Sequence, residues 1–244
     1  MSPSSRSALP GGRIPAAPRT IVVVGTGTGV GKTVFTTFAA GRLRAKGVRV
    51  AALKPLCSGG RGDALQLREA AASGLSLDVI NPWWFRAALT PREAARRAGL
   101  AIQASEVVNA VQRVESMDFE RVLVEGAGGL LSPLAEALDS RGLIRELGAA
   151  VVLVAANRLG MLNEVFLTVE ALPPRLRDRV PVVVMAPERP SLVTRTNLGL
   201  LRERFGEDRV VPFPFVREVA SRADRGMPPG VVRAVDRVLA LVRG

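Results

Sequence analysis

Histidine and tyrosine are missing from this 244-residue chain, cysteine occurs once, and aromatic residues make up only 4% of it. A lone Cys57 excludes an intramolecular disulfide and, together with the lack of an apolar signal-peptide core at the N-terminus, points to the cytoplasm. No apolar run reaches the roughly 18 residues of a membrane span, so no membrane partner is expected. The net charge of +12 raises the question of nucleic acid. Two features speak against it. The arginines are scattered and often sit beside acids, as in Arg202-Glu203-Arg204 and Glu207-Asp208-Arg209, and so few aromatics leave no stacking platform for single strands. Lysine is also scarce: only Lys32, Lys46 and Lys54 are lysine among the 34 basic residues. A compact ammonium and a planar guanidinium are not interchangeable, so Lys32 and Lys54, each just past an expected strand, mark positions where chemistry insists on lysine.

What is present is an ordinary globular composition, 48% hydrophobic and 23% charged. Residues 1–18 carry Ser, Pro, Gly and Arg without periodicity and are expected to be a disordered leader; residues 19–244 form one domain. Continuous β-branched runs at 20–24, 48–53, 121–124, 150–154 and 181–185, with a shorter one at 209–213, predict strands buried on both faces. Helical stretches at 33–46, 63–73, 102–116, 161–172, 194–205 and 230–242 lie between or after them. That alternation predicts an α/β fold with a doubly wound, mostly parallel sheet and helices on both faces.

Directly after the first strand stands GTGTGVGKT, Gly25 to Thr33, opening a helix. Glycines let successive backbone N–H groups turn toward phosphate oxygens, and the helix N-terminus adds partial positive charge. Lys32 then reaches the β- and γ-phosphates while the Thr33 hydroxyl takes a magnesium ion. Five residues rather than the usual four separate Gly25 from Gly31. The glycine spacing does not fit a dinucleotide fingerprint, so the ligand is a nucleoside triphosphate, here a P-loop ligand. Ligands of open α/β sheets lie at the carboxyl ends of the strands. There the sequence offers Lys54, Ser58 and Asp63 after the second strand, Glu125 and the Gly126–Gly129 turn at the third, and the segment around Asn163 after the fourth. Asp63 reads equally as a helix cap or a metal ligand. The Trp83-Trp84-Phe85 cluster reads as core packing beneath a loop before it reads as a cover for the site.

Six blocks, GTGTGVGKT, KPLCSGG, GDAL, NPWWFRAALTPREAA, VEGAGGLLSPL and RLGMLNEVFLT, occur in the order found in dethiobiotin synthetases, and over roughly residues 20–170 the chain resembles that family. The resemblance implies an Mg-ATP-dependent cyclo-ligase of biotin biosynthesis that joins CO₂ to 7,8-diaminononanoate and closes the urea ring of dethiobiotin. It implies ATP bound by Gly29, Val30, Gly31, Lys32, Thr33 and Val34, and Mg²⁺ held by Thr33, Asp63 and Glu125. Lys32 and Lys54 become the catalytic lysines. Thr28, Ser58, Gly128 and Asn163 contact substrate, and the enzyme works as a homodimer. Several positions depart from the family pattern. Gly27 and Gly29 replace two loop acids, Glu164 stands where histidine is usual, and Met185-Ala186-Pro187-Glu188 lacks the asparagine that reads adenine. A relaxed triphosphate preference is therefore expected. Two other readings of the same loop are a diverged P-loop paralogue with a changed substrate and a partitioning-type nucleotide-switch ATPase. The second would use an amphipathic last helix on a membrane surface, but the apolar face of the helix at 230–242 reads as packing on the sheet before it reads as a membrane anchor.

Overall fold

The computed structural model describes residues 18–217 and 226–242. The segment expected to be a leader therefore lies, apart from Pro18, outside the described residues. In chain order the strands are β1 (Thr20–Gly25), β2 (Val50–Leu53), β3 (Leu56–Ser58), β4 (Trp83–Phe85), β5 (Arg121–Glu125), β6 (Ala150–Ala156), β7 (Val182–Met185) and β8 (Val210–Phe213). The helices are α1 (Lys32–Ala45), α2 (Gly62–Ala71), α3 (Leu77–Ile80), α4 (Pro91–Arg97), α5 (Ala104–Glu115), α6 (Ser140–Leu147), α7 (Met161–Ala171), α8 (Pro174–Arg177), α9 (Leu192–Phe205) and α10 (Pro229–Leu241). Six strands form one parallel sheet in the order β2-β5-β1-β6-β7-β8; β3 and β4 pair separately, also in parallel.

The uninterrupted apolar runs are explained by two cores, one on each face of the sheet. Along β1, Val22 and Val24 point into a core shared with α3 to α7, while Ile21 and Val23 point into a second core with α1, α2 and α10. Successive side chains of a strand face opposite ways, so a strand covered on both sides has no polar positions to spare. β1 lies between β5 and β6, where the strand order reverses, and the loop after it opens at that crevice. Register then aligns the functional ends. Val23 pairs with Glu125 and Leu53 pairs with Val124, which brings Lys54 level with Glu125 on the neighbouring strand.

The expected strands and long helices are present, with ends shifted by a residue or two. The third expected helix begins at Ala104 rather than 102, because Gln103 and Glu106 form a capping box there. The sequence reading did not place the β3–β4 pair, α4 or α6. Strands of three residues are too short to show a period, and α6 spans eight residues and ends at Gly148 in the left-handed conformation. Trp83 packs against the core and Phe85 is buried, whereas Trp84 is exposed; none of the three faces the crevice. The apolar face of α10 is buried on the second core, through Val231, Val235 and Val238.

Candidate active site

The loop from Gly25 to Gly31 passes over the sheet edge into α1, whose first turn has neither a capping side chain nor an acidic residue. Its N–H groups are thus left for an anion. Gly31 makes the entry possible. Its φ is +98°, a conformation that favours glycine, and a Cβ there would lie 2.9 Å from the Met185 side chain.

Beneath this loop lies a cavity of about 680 Å³, within the range of small-molecule sites. All the expected site residues line it except Val30 and Asn163. Val30 is buried in the second core, and Asn163 stands on the exposed face of α7. The cavity is also bounded by Ala88 to Pro91 and by Ser132, which the sequence reading did not single out. The only signal for Ser132 is its place three residues after the glycine turn: its Oγ accepts from the Gly129 N–H at 2.9 Å. Ala88 to Pro91 belong to the quoted NPWWFRAALTPREAA block, but nothing in its composition says that the chain returns to the cavity wall there.

Four charged side chains meet on the cavity floor. Lys54 Nζ lies 2.5 Å from Glu125 Oε1 and 2.9 Å from Asp63 Oδ2, and Thr33 Oγ1 donates to the same Glu125 oxygen at 2.8 Å. Lys32 Nζ donates to the carbonyls of Gly27 at 2.7 Å and Gly128 at 2.8 Å, tying the two glycine turns together. Two ammonium groups thus face two carboxylates. Burial alone would push the Lys54 ammonium down, but the Glu125 and Asp63 carboxylates outweigh it and hold the group above its ordinary value. For Asp63, burial works upward and is outweighed by Lys54, with help from the Thr33 hydroxyl, so its carboxyl lies below the usual range. Lys32 is the opposite case: burial first, then the Lys54 charge, bring it down to about 8. Asp63 does not cap α2; that place is held by Arg61, and the carboxylate is turned to Lys54. Cys57 is buried beside the cluster and burial pushes its thiol up to about 11, which leaves no thiolate for nucleophilic chemistry at neutral pH.

Does this arrangement suit a magnesium ion? Glu125 is 1% exposed, yet its Oε2 is buried without a hydrogen-bond partner, a costly state unless something else binds it. Oxygen donors from Glu125, Asp63 and Thr33 are the hard ligands that magnesium prefers. Among the described residues no three His, Cys, Asp or Glu side chains are placed to hold a metal ion by themselves, so phosphate oxygens or water would complete the shell. The residues fit the ion.

Glu164, at the first turn of α7, accepts from Arg158 Nη2 at 2.6 Å and from Thr26 Oγ1 at 3.2 Å. Its charge is therefore offset by a guanidinium. The β7 end contributes Met185 against Gly31, and the Ala186 N–H donates to the Phe213 carbonyl at 2.8 Å.

The model of a family described as an AAA domain matches residues 19–221. The ATP-dependent dethiobiotin synthetase BioD of Ralstonia nicotianae is 38% identical over 161 residues, which are 63% of this chain and 70% of that protein. The enzyme of the same name from Pseudomonas paraeruginosa is 36% identical over 230 residues, 88% of this chain and 94% of its own length. Among solved structures, the MinD cell division protein of Aquifex aeolicus superimposes with a TM-score of 0.55 at 15% identity, covering 91% of this chain and 96% of that one. At that identity the likeness concerns the fold alone.

Proposed function

The chain belongs to the ATP-dependent dethiobiotin synthetase family, and from that premise we propose how its residues divide the work. It is an ATP-dependent ligase of biotin biosynthesis. The observation that carries the residue assignment is the Lys54 ammonium held between Glu125 and Asp63 at the mouth of the phosphate loop.

In the proposed reaction, an amine of 7,8-diaminononanoate takes up CO₂ as a carbamate. A carbamate oxygen attacks the γ-phosphorus of ATP and ADP leaves. The second amine then attacks the carbamoyl carbon, closes the ring and expels phosphate. The loop from Gly29 to Val34 and Lys32 hold the triphosphate; Lys54 donates to the carbamate and to the transferring phosphoryl oxygens, where charge shifts during the reaction. Thr28, Ser58 and Gly128 line the cavity where the diamine and phosphate oxygens would meet. Thr33, Asp63 and Glu125 would hold magnesium, which when bound offsets phosphate charge. The protein's own contribution is positioning, worth several orders of magnitude in rate when reacting atoms are aligned.

We extend the reading to a cytoplasmic homodimer. Asn163 and Leu167 share one helical face of α7, Leu159 lies just before the helix, and the two leucines, Leu159 and Leu167, are 79% and 62% exposed. A second copy seated there would bring Asn163 toward the substrate's carboxylate tail. Among the described residues no helix is long and apolar enough to cross a membrane.

The test is incubation of the purified protein with 7,8-diaminononanoate, labelled bicarbonate, magnesium and ATP, then CTP or GTP, with detection of labelled dethiobiotin by mass. Product is expected with ATP. Lys32→Ala and Lys54→Ala should each reduce it by about 10²–10³-fold. With Ala186 and Pro187 at the end of β7, CTP and GTP are expected to support turnover as well. Absence of product with any triphosphate, while nucleotide still binds, would leave a P-loop protein with changed chemistry.

A further inference from the structure

Lys54 and Asp63 come from different elements, and what sets their separation lies outside the cavity. Asn81, just after α3, is 0% exposed. Its Nδ2 donates to the Lys54 carbonyl at 2.7 Å and to the Trp83 carbonyl at 3.1 Å, while the Lys54 N–H donates to the Ile80 carbonyl at 3.0 Å. Both backbone groups of Lys54 are thus held by residues 80–81. The Asn81 Oδ1 accepts from Arg61 Nε at 3.1 Å. Through Nη2 the same guanidinium donates to the carbonyls of Asn81 at 2.8 Å and Leu77 at 3.2 Å and to Asp78 Oδ1 at 2.8 Å. It also lies 5.4 Å from the Trp84 ring centroid, within cation–π range.

Arg61 caps α2 two residues before Asp63. The turn at 77–81 therefore anchors the backbone of Lys54 on one side and the start of the Asp63 helix on the other. A purely space-filling site at position 81 would be served by an apolar residue, since a buried amide is costly unless its groups are paired. Here both groups are used, the donor toward the Lys54 carbonyl and the acceptor toward the guanidinium of Arg61, two residues before Asp63. Arg61 cannot lose its charge, and its planar fork spreads donors over several acceptors as an ammonium cannot.

We propose that Arg61 and Asn81 are positioning residues for the ligase reaction, holding Lys54 and Asp63 at the separation the carbamate and the metal-bound nucleotide require. The inference rests on the ligase reading above, and neither residue touches substrate.

The experiment compares the full-length protein with Arg61→Met, Arg61→Lys and Asn81→Ser. The readouts are dethiobiotin formation against each substrate, melting temperature, and Mn²⁺ affinity in the presence of ATP by electron paramagnetic resonance. Arg61→Met is expected to lower kcat by about 10–100-fold and weaken Mn²⁺ by about tenfold, the usual effect of disturbing an outer-shell partner. Melting temperature and KM for ATP should hold, because the phosphate loop belongs to β1 and α1. Arg61→Lys should recover part of the rate. Wild-type kcat in a stable Arg61→Met overturns the proposal. So does a loss of rate that merely follows loss of stability and of ATP affinity. If Asn81→Ser does not fold, the two Arg61 variants decide. If the wild type forms no dethiobiotin, the ligase reading falls, while unchanged Mn²⁺ affinity in Arg61→Met would still overturn the positioning of Asp63 and weakened affinity would still support it.

Discussion

At Lys32, burial and the neighbouring Lys54 ammonium bring the pKa down to about 8, while Gly27 and Gly128 carbonyls occupy its N–H donors. The sign of the consequence follows from linkage. In the nucleotide-free protein Lys32 gives up its proton as pH rises through about 8. Phosphate oxygens favour the charged form and raise that value in the complex. Nucleotide binding above about pH 8 should therefore take up a proton, approaching one per site, and binding well below it should take up none. Titration calorimetry in buffers of different ionisation enthalpy measures this directly; a heat independent of buffer at pH above about 8 would contradict it. The same residue shows what was legible in the sequence. Its place in the Gly25–Thr33 loop gave the expectation of a phosphate contact, whereas the carbonyl of Gly128, far away in sequence, was not visible as its partner.

Among elements, α10 is where amphipathic pattern and actual burial had to be separated. Its sequence suits a membrane-surface helix as well as a core helix, since both need one apolar face. Val231, Val235 and Val238 are 0% exposed against α1 and β8, and Asp236 pairs at the flank of this contact with Arg42 of α1 and its C-cap residue Lys46 at 2.7 Å each. The apolar face is thus used up inside the protein. Val235→Asp should lower the unfolding free energy by about 3–5 kcal/mol, as expected for an uncompensated buried charge, read from a denaturant curve. Vesicles containing anionic lipid should fail to sediment the wild-type protein; sedimentation would revive the nucleotide-switch reading. The β3–β4 pair illustrates the reverse limit. Three-residue strands carry no readable period, yet they set the path from Lys54 to Asp63.

For the whole molecule, Leu167 on α7 and Leu159 just before it are among the large apolar side chains left exposed once both cores are accounted for. If a second copy covers them, Leu167→Glu should convert the dimer to a monomer in light scattering coupled to size exclusion. Losing a central apolar contact costs more than about 1 kcal/mol, so KM for 7,8-diaminononanoate should rise by about tenfold. A monomeric wild type with an unchanged KM in the variant would sink the dimer and the role of Asn163 with it.

The sequence by itself determined the parallel sheet, the phosphate loop and most of the cavity lining, because these depend on local patterns: unbroken β-branched runs, glycines before a Lys-Thr pair, and groups at strand ends. Tertiary structure alone decided which of them meet. Register brought Lys54 level with Glu125, the turn at 77–81 gave Asp63 to Lys54 rather than to a helix cap, and chain reversal put Ala88 to Pro91 on the cavity wall. Those outcomes depend on long-range pairing, where a residue's partner is set by strand order and packing and leaves no trace in its own neighbourhood.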